Sequence, residues 1–235
     1  LVSTAGKDSA AVKLYLEIGS LYDANDPAVA LLYLRKAAQV SREIDYSPGN
    51  LKTMRSLANV FRIQGQFDST LHYYRQASLL SEKGSDSLNI GISLFNIGST
   101  YRIIAKLDSA LHYCLQGSKL IEAYGDKSAQ AKMNNGMQLL YYYLPNYEKA
   151  ISYGEKAVQQ AREIKDDNLL LQSLSNLSMS YKDLQQLDRS ISVLREALKL
   201  AEKAGDIYAE SAILVNLGGV YLEKKDYVKL RKYAL

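Results

Sequence analysis

The sequence predicts an all-α fold in which pairs of helices repeat along the chain as an α-solenoid, and three observations support this prediction. Aromatic residues recur at an interval of about 40 residues. Before each of them, apolar and small residues fall on one face of a helix. Only 3 of the 235 residues are proline, and runs of β-branched residues are few, which favours helix over strand.

The repeat interval rests on two series of residues that keep the same phase, which is the mark of a repeat architecture. The first series has spacings of 39, 40, 40, 40 and 40 residues and consists of Tyr22, Phe61, Tyr101, Tyr141, Tyr181 and Tyr221. The second is spaced by 40 residues throughout and consists of Phe67, Leu107, Tyr147, Leu187 and Tyr227. They predict repeats at approximately residues 9–50, 51–87, 88–128, 129–168, 169–206 and 207–235, the last of them incomplete.

Each repeat is expected to hold two amphipathic helices, with the aromatic marker near the end of the first. In the third repeat, the residues spaced i, i+3, i+4 and i+7 on one face are Leu94, Ile97, Gly98 and Tyr101. The small member, Gly98 here, lets the paired helix approach closely. Small residues also recur in the second helices, at Ala30, Thr70, Ala110, Ala150 and Ser190.

Residues typical of helix ends separate these segments. Acidic residues suit the positive N-terminal end of the helix dipole, and the second helices carry them as Asp68, Asp108, Glu148 and Asp188. Glycine often ends a helix and aspartate often begins the next one. We therefore expect helix stops at Gly84, Gly125 and Gly205 and helix starts at Asp86, Asp126 and Asp206.

The fourth repeat departs from the pattern, because Asn134 and Asn135 fall where apolar residues are expected. Aligning Asn134 and Gly136 with Asn96 and Gly98 shifts the helix by two residues, and Pro145 then requires a longer turn. Two interpretations remain open at this stage: a local insertion, or a functional bend in the solenoid.

The segments FNIGSTYRIIAKLDSALHYCLQGSKL and SNLSMSYKDLQQLDRSISVLREALKLAEKAGD resemble tetratricopeptide repeats, and the resemblance extends from about Ser9 to the C-terminus. It implies a single right-handed tetratricopeptide superhelix over residues 1–235 that binds protein or peptide ligands. The 40-residue unit resembles the repeats of spindle-orientation adaptors and kinesin light chains. It is also similar to repeat regions of bacterial sensor kinases and helix-turn-helix regulators.

The resemblance places a ligand groove on the first helices, on the face opposite the core stripe. An asparagine amide both donates and accepts hydrogen bonds, so it can bind a peptide main chain of any sequence. Family members commonly use asparagine in this way. The expected peptide-binding residues are Lys52, Arg55, Asn59, Arg62, Asn96, Arg102, Lys132, Asn176, Lys182 and Asn216.

The basic members of this set favour an acidic peptide, whereas a solvated charged face is the alternative. Lys52, Asn96 and Lys132 lie near places that some family members use to clamp a C-terminal carboxylate. The match is incomplete, because Ser56 and Gly136 stand where that clamp has an amide and a basic residue. The net charge of +4 is spread along the chain and does not by itself indicate nucleic-acid binding.

The sequence predicts no enzyme, no cofactor and no metal site. Motifs for phosphate binding, nucleophilic catalysis and zinc hydrolysis are lacking. His72, His112 and Cys114 have no supporting metal-binding motif, and we expect the histidines to be neutral surface residues. No apolar run is long enough for a membrane span, and the compartment, cytoplasmic or periplasmic, stays open.

Two further functions are compatible with the sequence. By resemblance, the repeats are a sensor module that controls a histidine kinase or a helix-turn-helix regulator. Alternatively they are an oligomerisation module, because no polar capping helix follows the last repeat. We expect the natural chain to continue past Leu235, or a partner to cover that edge. Since the chain begins at Leu1 and not at methionine, we also expect a preceding segment.

Overall fold

The computed structural model describes residues 8–233, which form twelve helices and no β-strand. The helices follow one another as six helix-turn-helix pairs, so the predicted all-α class is confirmed. In chain order the pairs are α1 (Ser9–Leu21) with α2 (Pro27–Glu43), α3 (Ser47–Ile63) with α4 (Phe67–Lys83), α5 (Ser87–Ile103) with α6 (Leu107–Tyr124), α7 (Lys127–Tyr143) with α8 (Tyr147–Glu163), α9 (Asp167–Asp183) with α10 (Leu187–Ala204), and α11 (Ile207–Glu223) with α12 (Tyr227–Tyr233).

The chain divides into two compact units, Leu1–Tyr124 and Gly125–Leu235. Unit 1 contains α1 to α6 and unit 2 contains α7 to α12. In each unit the second helix of a pair packs on the first helix of the same pair and on the first helix of the following pair. That one solenoid spans residues 1–235 stays a prediction.

The predicted helix ends are confirmed. Asp86, Asp126 and Asp206 begin α5, α7 and α11, and each side chain accepts a hydrogen bond from the backbone N–H three residues further on. Gly205 ends α10 in the left-handed conformation, with φ of 67°. Acidic residues occupy the first turns of the second helices, at Asp68, Asp108, Glu148 and Asp188.

The small residues allow close helix packing, as predicted. A Cβ atom added to Gly98 of α5 would lie 2.5 Å from Cys114 Sγ and 2.9 Å from the carbonyl oxygen of Ala110, both on α6. Real Cβ atoms do not approach other atoms so closely, so no larger residue fits without movement. In unit 2 the core is made of buried leucine, isoleucine and alanine side chains, with Leu174, Leu194 and Leu217 fully enclosed.

The first marker, Tyr22, does not take part in the core. Helix α1 ends at Leu21, and Tyr22 begins the turn that precedes α2, with 43% of its surface exposed. Tyr15 and Gly19, which lie seven and three residues before this marker on the expected core face, are buried. The expectation that the stripe of the first repeat includes Tyr22 is therefore wrong, because the helix stops one residue too early.

The two-residue shift expected in the fourth repeat is also wrong, and no insertion is present. Helix α7 has 17 residues, as α5 and α9 do, and Tyr141 stacks on Tyr153 at 5.5 Å just as Tyr101 stacks on Tyr113. Asn134 keeps the place of Leu94 and is buried. Its Nδ2 donates to Gln160 Oε1 at 2.7 Å, so the core accommodates the amide without a change of register. The functional bend stays a prediction.

Candidate functional site

Three helices of unit 2, α7, α9 and α11, line an open pocket of about 380 Å³. Helix α7 contributes two lining residues, and helices α9 and α11 contribute four each. The lining residues are Asn135, Leu139, Leu171, Gln172, Ser175, Asn176, Ala209, Ala212, Ile213 and Asn216.

Helical spacing explains why these residues share one face. The α9 residues form two pairs spaced four positions apart, Leu171 with Ser175 and Gln172 with Asn176, and residues at this spacing are neighbours on a helix surface. The 40-residue repeat then places Asn176 of α9 and Asn216 of α11 at the same position of successive first helices. Two expected ligand-binding asparagines thus line the same pocket.

The polar side of the pocket is organised by Asn135. Asn176 Nδ2 donates to Asn135 Oδ1 at 3.0 Å, and Ser173 Oγ donates to the same oxygen at 3.3 Å. These bonds fix the orientation of both amides and leave Asn176 Oδ1 as an acceptor. Asn216 is exposed and its side chain makes no hydrogen bond with any other described residue, so its amide offers both donors and an acceptor to a ligand.

The remaining wall is apolar, and the pocket contains no charged side chain. Leu139, Leu171, Ala212 and Ile213 supply the apolar surface, while all polar lining residues are amides or hydroxyls. Such a lining suits a ligand with one apolar group and several neutral hydrogen-bonding groups. It provides no counter-charge for a carboxylate.

The two basic residues expected in this unit do not line the pocket. Lys132 is exposed and lies outside the lining. Lys182 Nζ lies 3.6 Å from Glu223 Oε1, so its charge is partly balanced by a neighbouring carboxylate. Of the four residues expected in unit 2, the structure brings Asn176 and Asn216 together and places the two lysines elsewhere.

The six residues expected in unit 1 lie on α3 and α5. Arg55 Nη1 donates to Asn89 Oδ1 at 2.8 Å, and Arg62 Nη2 donates to Asn59 Oδ1 at 2.6 Å. Lys52 is exposed. Asn96 and Arg102 are half-buried on α5.

Asn135 is one of the site residues that sequence reasoning missed. The repeat register carried the signal, because Asn135 lies six residues before the marker Tyr141, which is a groove position in the other repeats. The assumed two-residue shift removed it from that position. The apolar residues Leu139 and Leu171 were missed because core and groove leucines look alike in a sequence.

The three residues considered for metal binding differ in exposure, because the two histidines are exposed and the cysteine is buried. His72 and His112 are exposed, and each ring packs edge-on against the following tyrosine at 5.3 Å. Cys114 is buried. Among residues 8–233, no cluster of three or more histidine, cysteine, aspartate or glutamate side chains has the arrangement of a metal site. No helix within this range has the length and apolar composition to cross a membrane.

Comparison with known proteins gives a family match and a set of similar folds. The family model described as tetratricopeptide repeat matches residues 50–123 and 129–203, more than half of the chain. No curated protein sequence matches significantly. BtubC from P. vanneervenii is similar in structure, with 17% identity, coverage of 96% of this chain and 89% of that chain, and a TM-score of 0.73.

Two other solved structures show the same fold. The apo form of RapI is 13% identical, with coverage of 99% of this chain and 83% of that chain and a TM-score of 0.72. NprR, solved in complex with its cognate peptide NprX, is 13% identical, with coverage of 98% and 67% and a TM-score of 0.65. At these identities the similarity establishes the fold alone.

Proposed function

The chain belongs to the tetratricopeptide repeat family, and we propose that it is a non-catalytic scaffold that binds an extended peptide segment in the pocket of unit 2. One observation carries this proposal. Asn176 and Asn216, which occupy the same position in successive repeats, line one pocket together with Asn135 and an apolar wall.

The pocket chemistry suits a peptide main chain. A peptide bond offers one N–H donor and one C=O acceptor per residue, and the free amide of Asn216 can satisfy both. Asn176 Nδ2 already donates to Asn135 Oδ1 at 3.0 Å, which leaves Asn176 Oδ1 as the atom that can accept a hydrogen bond from the ligand. Hydrogen bonds to the main chain supply affinity that is independent of sequence.

The apolar wall supplies selectivity. Leu139, Leu171 and Ile213 form a surface on which one apolar side chain of the ligand can be buried. Because no charged residue lines the pocket, the segment that enters it is uncharged. The peptide complex of NprR, which has the same fold at 13% identity, supports a peptide as the ligand class.

Fluorescence anisotropy with an array of labelled octapeptides tests the proposal on the full chain. We expect neutral peptides with one large apolar residue to bind better than neutral peptides without one. Using the tightest neutral peptide, Asn176→Ala and Asn216→Ala should each weaken binding about tenfold, because each removes hydrogen bonds to the ligand.

Asn96→Ala is the matched control. Asn96 occupies the same repeat position as Asn176 but lies in unit 1, outside the pocket. It should leave the affinity unchanged, and circular dichroism should show equal helicity for all three variants. Equal losses from Asn96→Ala and Asn176→Ala would rule out this pocket as the binding site.

A second candidate function, self-association, is favoured by an exposed apolar face on α11 and α12. The four most exposed apolar side chains there, 73% to 91% accessible, are Ile207, Tyr208, Val215 and Val228. The residues 40 positions earlier are all polar, namely Asp167, Asn168, Ser175 and Asp188. Helix α11 is therefore apolar on more than its core face, which is typical of a helix that is covered.

We propose that a second copy of this chain covers the face, in a two-fold arrangement that buries the same residues of both copies. Tyr208→Asn and Val228→Asp introduce the residue types of the preceding repeat, so they should preserve the helices. In sedimentation velocity the unsubstituted 235-residue chain should form more dimer as its concentration rises, and the double variant should stay monomeric. Leu79→Asp, on the exposed side of α4, is the control and should dimerise normally. A natural chain that is monomeric throughout contradicts this role.

The role of a sensor module within a larger signalling protein stays a prediction, which the full gene sequence tests. A kinase or DNA-binding domain in the same reading frame is the expected result.

A further inference from the structure

Two arginines of α3 in unit 1 are bound by neutral amides and not by carboxylates. Arg55 Nη1 donates to Asn89 Oδ1 at 2.8 Å, and Arg62 Nη2 donates to Asn59 Oδ1 at 2.6 Å. Both arginines are half-buried. A half-buried guanidinium whose hydrogen-bond partners are neutral forms no direct ion pair, so its remaining donors stay available to an anion.

A carboxylate stands behind each amide and holds it in place. Asn89 Nδ2 donates to Asp86 Oδ2 at 2.7 Å, and Asn59 Nδ2 donates to Asp23 Oδ2 at 3.1 Å. In both cases the order is carboxylate, amide, guanidinium. The asparagine therefore presents its carbonyl oxygen to the arginine and separates the two charges.

Arginines of unit 2 behave differently. Arg162 and Arg189 pair directly with Glu196 and Glu155, in each case with a nitrogen–oxygen distance of 2.7 Å. Among the described ion pairs, neither Arg55 nor Arg62 has a carboxylate partner. The amide-bound pair thus differs from Arg162 and Arg189, which each bind a carboxylate directly.

The two guanidinium groups belong to the same side of α3. Arg55 and Arg62 are seven residues apart, which is two helical turns, so they project from the same face of α3. Burial raises the pKa of Tyr74, and the charges of Arg62 and Arg55 lower it in part, with Arg62 also hydrogen-bonded to the hydroxyl. Both cations therefore lie within electrostatic reach of the one hydroxyl group.

We propose that Arg55 and Arg62 form an anion site that binds the oxyanion of a peptide side chain, either a carboxylate or a phosphate. A guanidinium has five N–H donors, and the described bonds use only one or two of them in each arginine. The remaining donors form a planar fork that fits two oxygens of a carboxylate or a phosphate. Exposed Lys52, one turn before Arg55, adds positive charge to the approach.

This site lies in unit 1 and is independent of the uncharged pocket in unit 2. It assigns the basic residues of the sequence to a separate function, namely selection of an acidic or phosphorylated residue in the partner. Failure of one site therefore leaves the other untouched.

The test uses the full chain and three labelled peptides in fluorescence anisotropy: hexaglutamate, hexaglutamine, and a glycine-serine hexapeptide with one phosphoserine. Arg55→Gln and Arg62→Gln retain side-chain donors but remove the charge. Each should weaken binding of the oxyanion peptide about tenfold, as expected for a lost charge-assisted hydrogen-bond pair. Arg75→Gln is the control, because Arg75 also bonds a neutral group, the Tyr101 hydroxyl at 3.0 Å, on exposed α4 surface.

Each result decides the proposal. Tighter binding of hexaglutamate than hexaglutamine, lost in Arg55→Gln and Arg62→Gln but kept in Arg75→Gln, identifies the oxyanion as a carboxylate. The same pattern with the phosphoserine peptide alone identifies it as a phosphate. Equal losses in all three variants would show only a general effect of net charge and overturn the site. Absence of binding by both anionic peptides would overturn it as well.

Discussion

Gln138 of α7 contacts Gly154 of α8, so in this pair of helices the first carries the large residue and the second the small one. A Cβ atom added to Gly154 of α8 would lie 2.6 Å from Gln138 Nε2 of α7. In the neighbouring repeats the first helix carries the small residue and the second the larger one, as in Gly98 with Cys114 and Ser178 with Leu194. In the fourth repeat the large residue stands opposite a glycine, so the two helices can pack in the same register as in the neighbouring repeats.

This contact predicts strong coupling between the two positions. Gly154→Leu alone should destabilise the fold by about 3 kcal/mol, because the added side chain collides with a buried amide. The Gln138 amide is buried, and neither of its polar atoms has a hydrogen-bond partner among the described residues. Adding Gln138→Ala should therefore restore most of the lost stability, since it makes room for the added side chain and removes an unpartnered polar group.

Urea unfolding of the two single variants and the double variant measures the coupling energy, which should exceed about 1 kcal/mol. Gly219→Ala is the control, because nothing lies within 4 Å of an added Cβ atom at that position. It should be neutral or slightly stabilising. Additive effects at positions 138 and 154 would contradict the proposed exchange.

Gly65 and Ala105 occupy the same turn position in successive repeats, and exchanging glycine and alanine there should change stability in opposite directions. Gly65 and Ala105 follow equivalent helices and have φ angles of 71° and 58°. Alanine is strained in this left-handed region, whereas glycine is not. Ala105→Gly should stabilise by about 0.5–1 kcal/mol, and Gly65→Ala should destabilise by a similar amount. Urea midpoints measure both, and a shift of the same sign for the two variants is the contrary result.

The single cysteine is predicted to be unreactive in the native state. Burial raises the pKa of Cys114 to about 12. The thiolate is the reactive form, so labelling by a disulfide reagent at pH 8 should be at least about a hundredfold slower than in guanidinium chloride. The native rate should still rise at pH 10, without a plateau.

Gln116→Cys in a Cys114→Ser background provides the comparison on the same helix, because Gln116 is exposed. That thiol should react rapidly, and its rate should level off above pH 9, as expected for an ordinary thiol. Rapid native labelling of Cys114 would show that α6 opens readily from its neighbours.

The ionisation of Tyr181 predicts a loss of stability in alkali. Burial and the hydrogen bond that its hydroxyl donates to Glu155 Oε1 at 2.7 Å both raise the pKa of Tyr181. An unfolded tyrosine loses its proton near pH 10, so above that pH the folded state binds more protons than the unfolded state. The free energy of unfolding must then fall as the pH rises.

Tyr181→Phe removes this contribution. It should lower stability at pH 7 by about 1 kcal/mol through the lost hydrogen bond, yet flatten the decline between pH 9.5 and 11. Tyr124→Phe, at a side chain that is 62% exposed, should keep the slope of the unsubstituted chain. Urea midpoints at several pH values distinguish these results, and equal slopes for all three proteins would exclude Tyr181 as the cause.

Much of the fold followed from periodicity, because helix faces and helix ends depend on local chemistry. The second marker series begins the second helices, at Phe67, Leu107, Tyr147, Leu187 and Tyr227. The aspartate starts and glycine stops were also predicted. The fourth repeat was misjudged because spacing alone treats Asn134 as misplaced, whereas a partner on the next helix, Gln160, makes its burial possible.

Less of the candidate site was predictable. Asn176 and Asn216 could be chosen by their common repeat position, yet Asn135 required the correct register of α7. The basic residues share groove positions with the asparagines in the sequence. Only the contacts show that Lys182 faces Glu223 and that Arg55 and Arg62 face amides.

The sequence by itself determined the repeat length, the helix starts at aspartate and stops at glycine, and most of the faces that form the core, because these depend on the 3.6-residue helical period and on capping chemistry within a few residues. Tertiary structure decided which polar side chains meet. Hydrogen bonds such as Asn176 with Asn135 join residues 41 positions apart, and their geometry depends on how successive helices pack. The charge of each groove residue could be predicted from the sequence, but its hydrogen-bond or ion-pair partner could not.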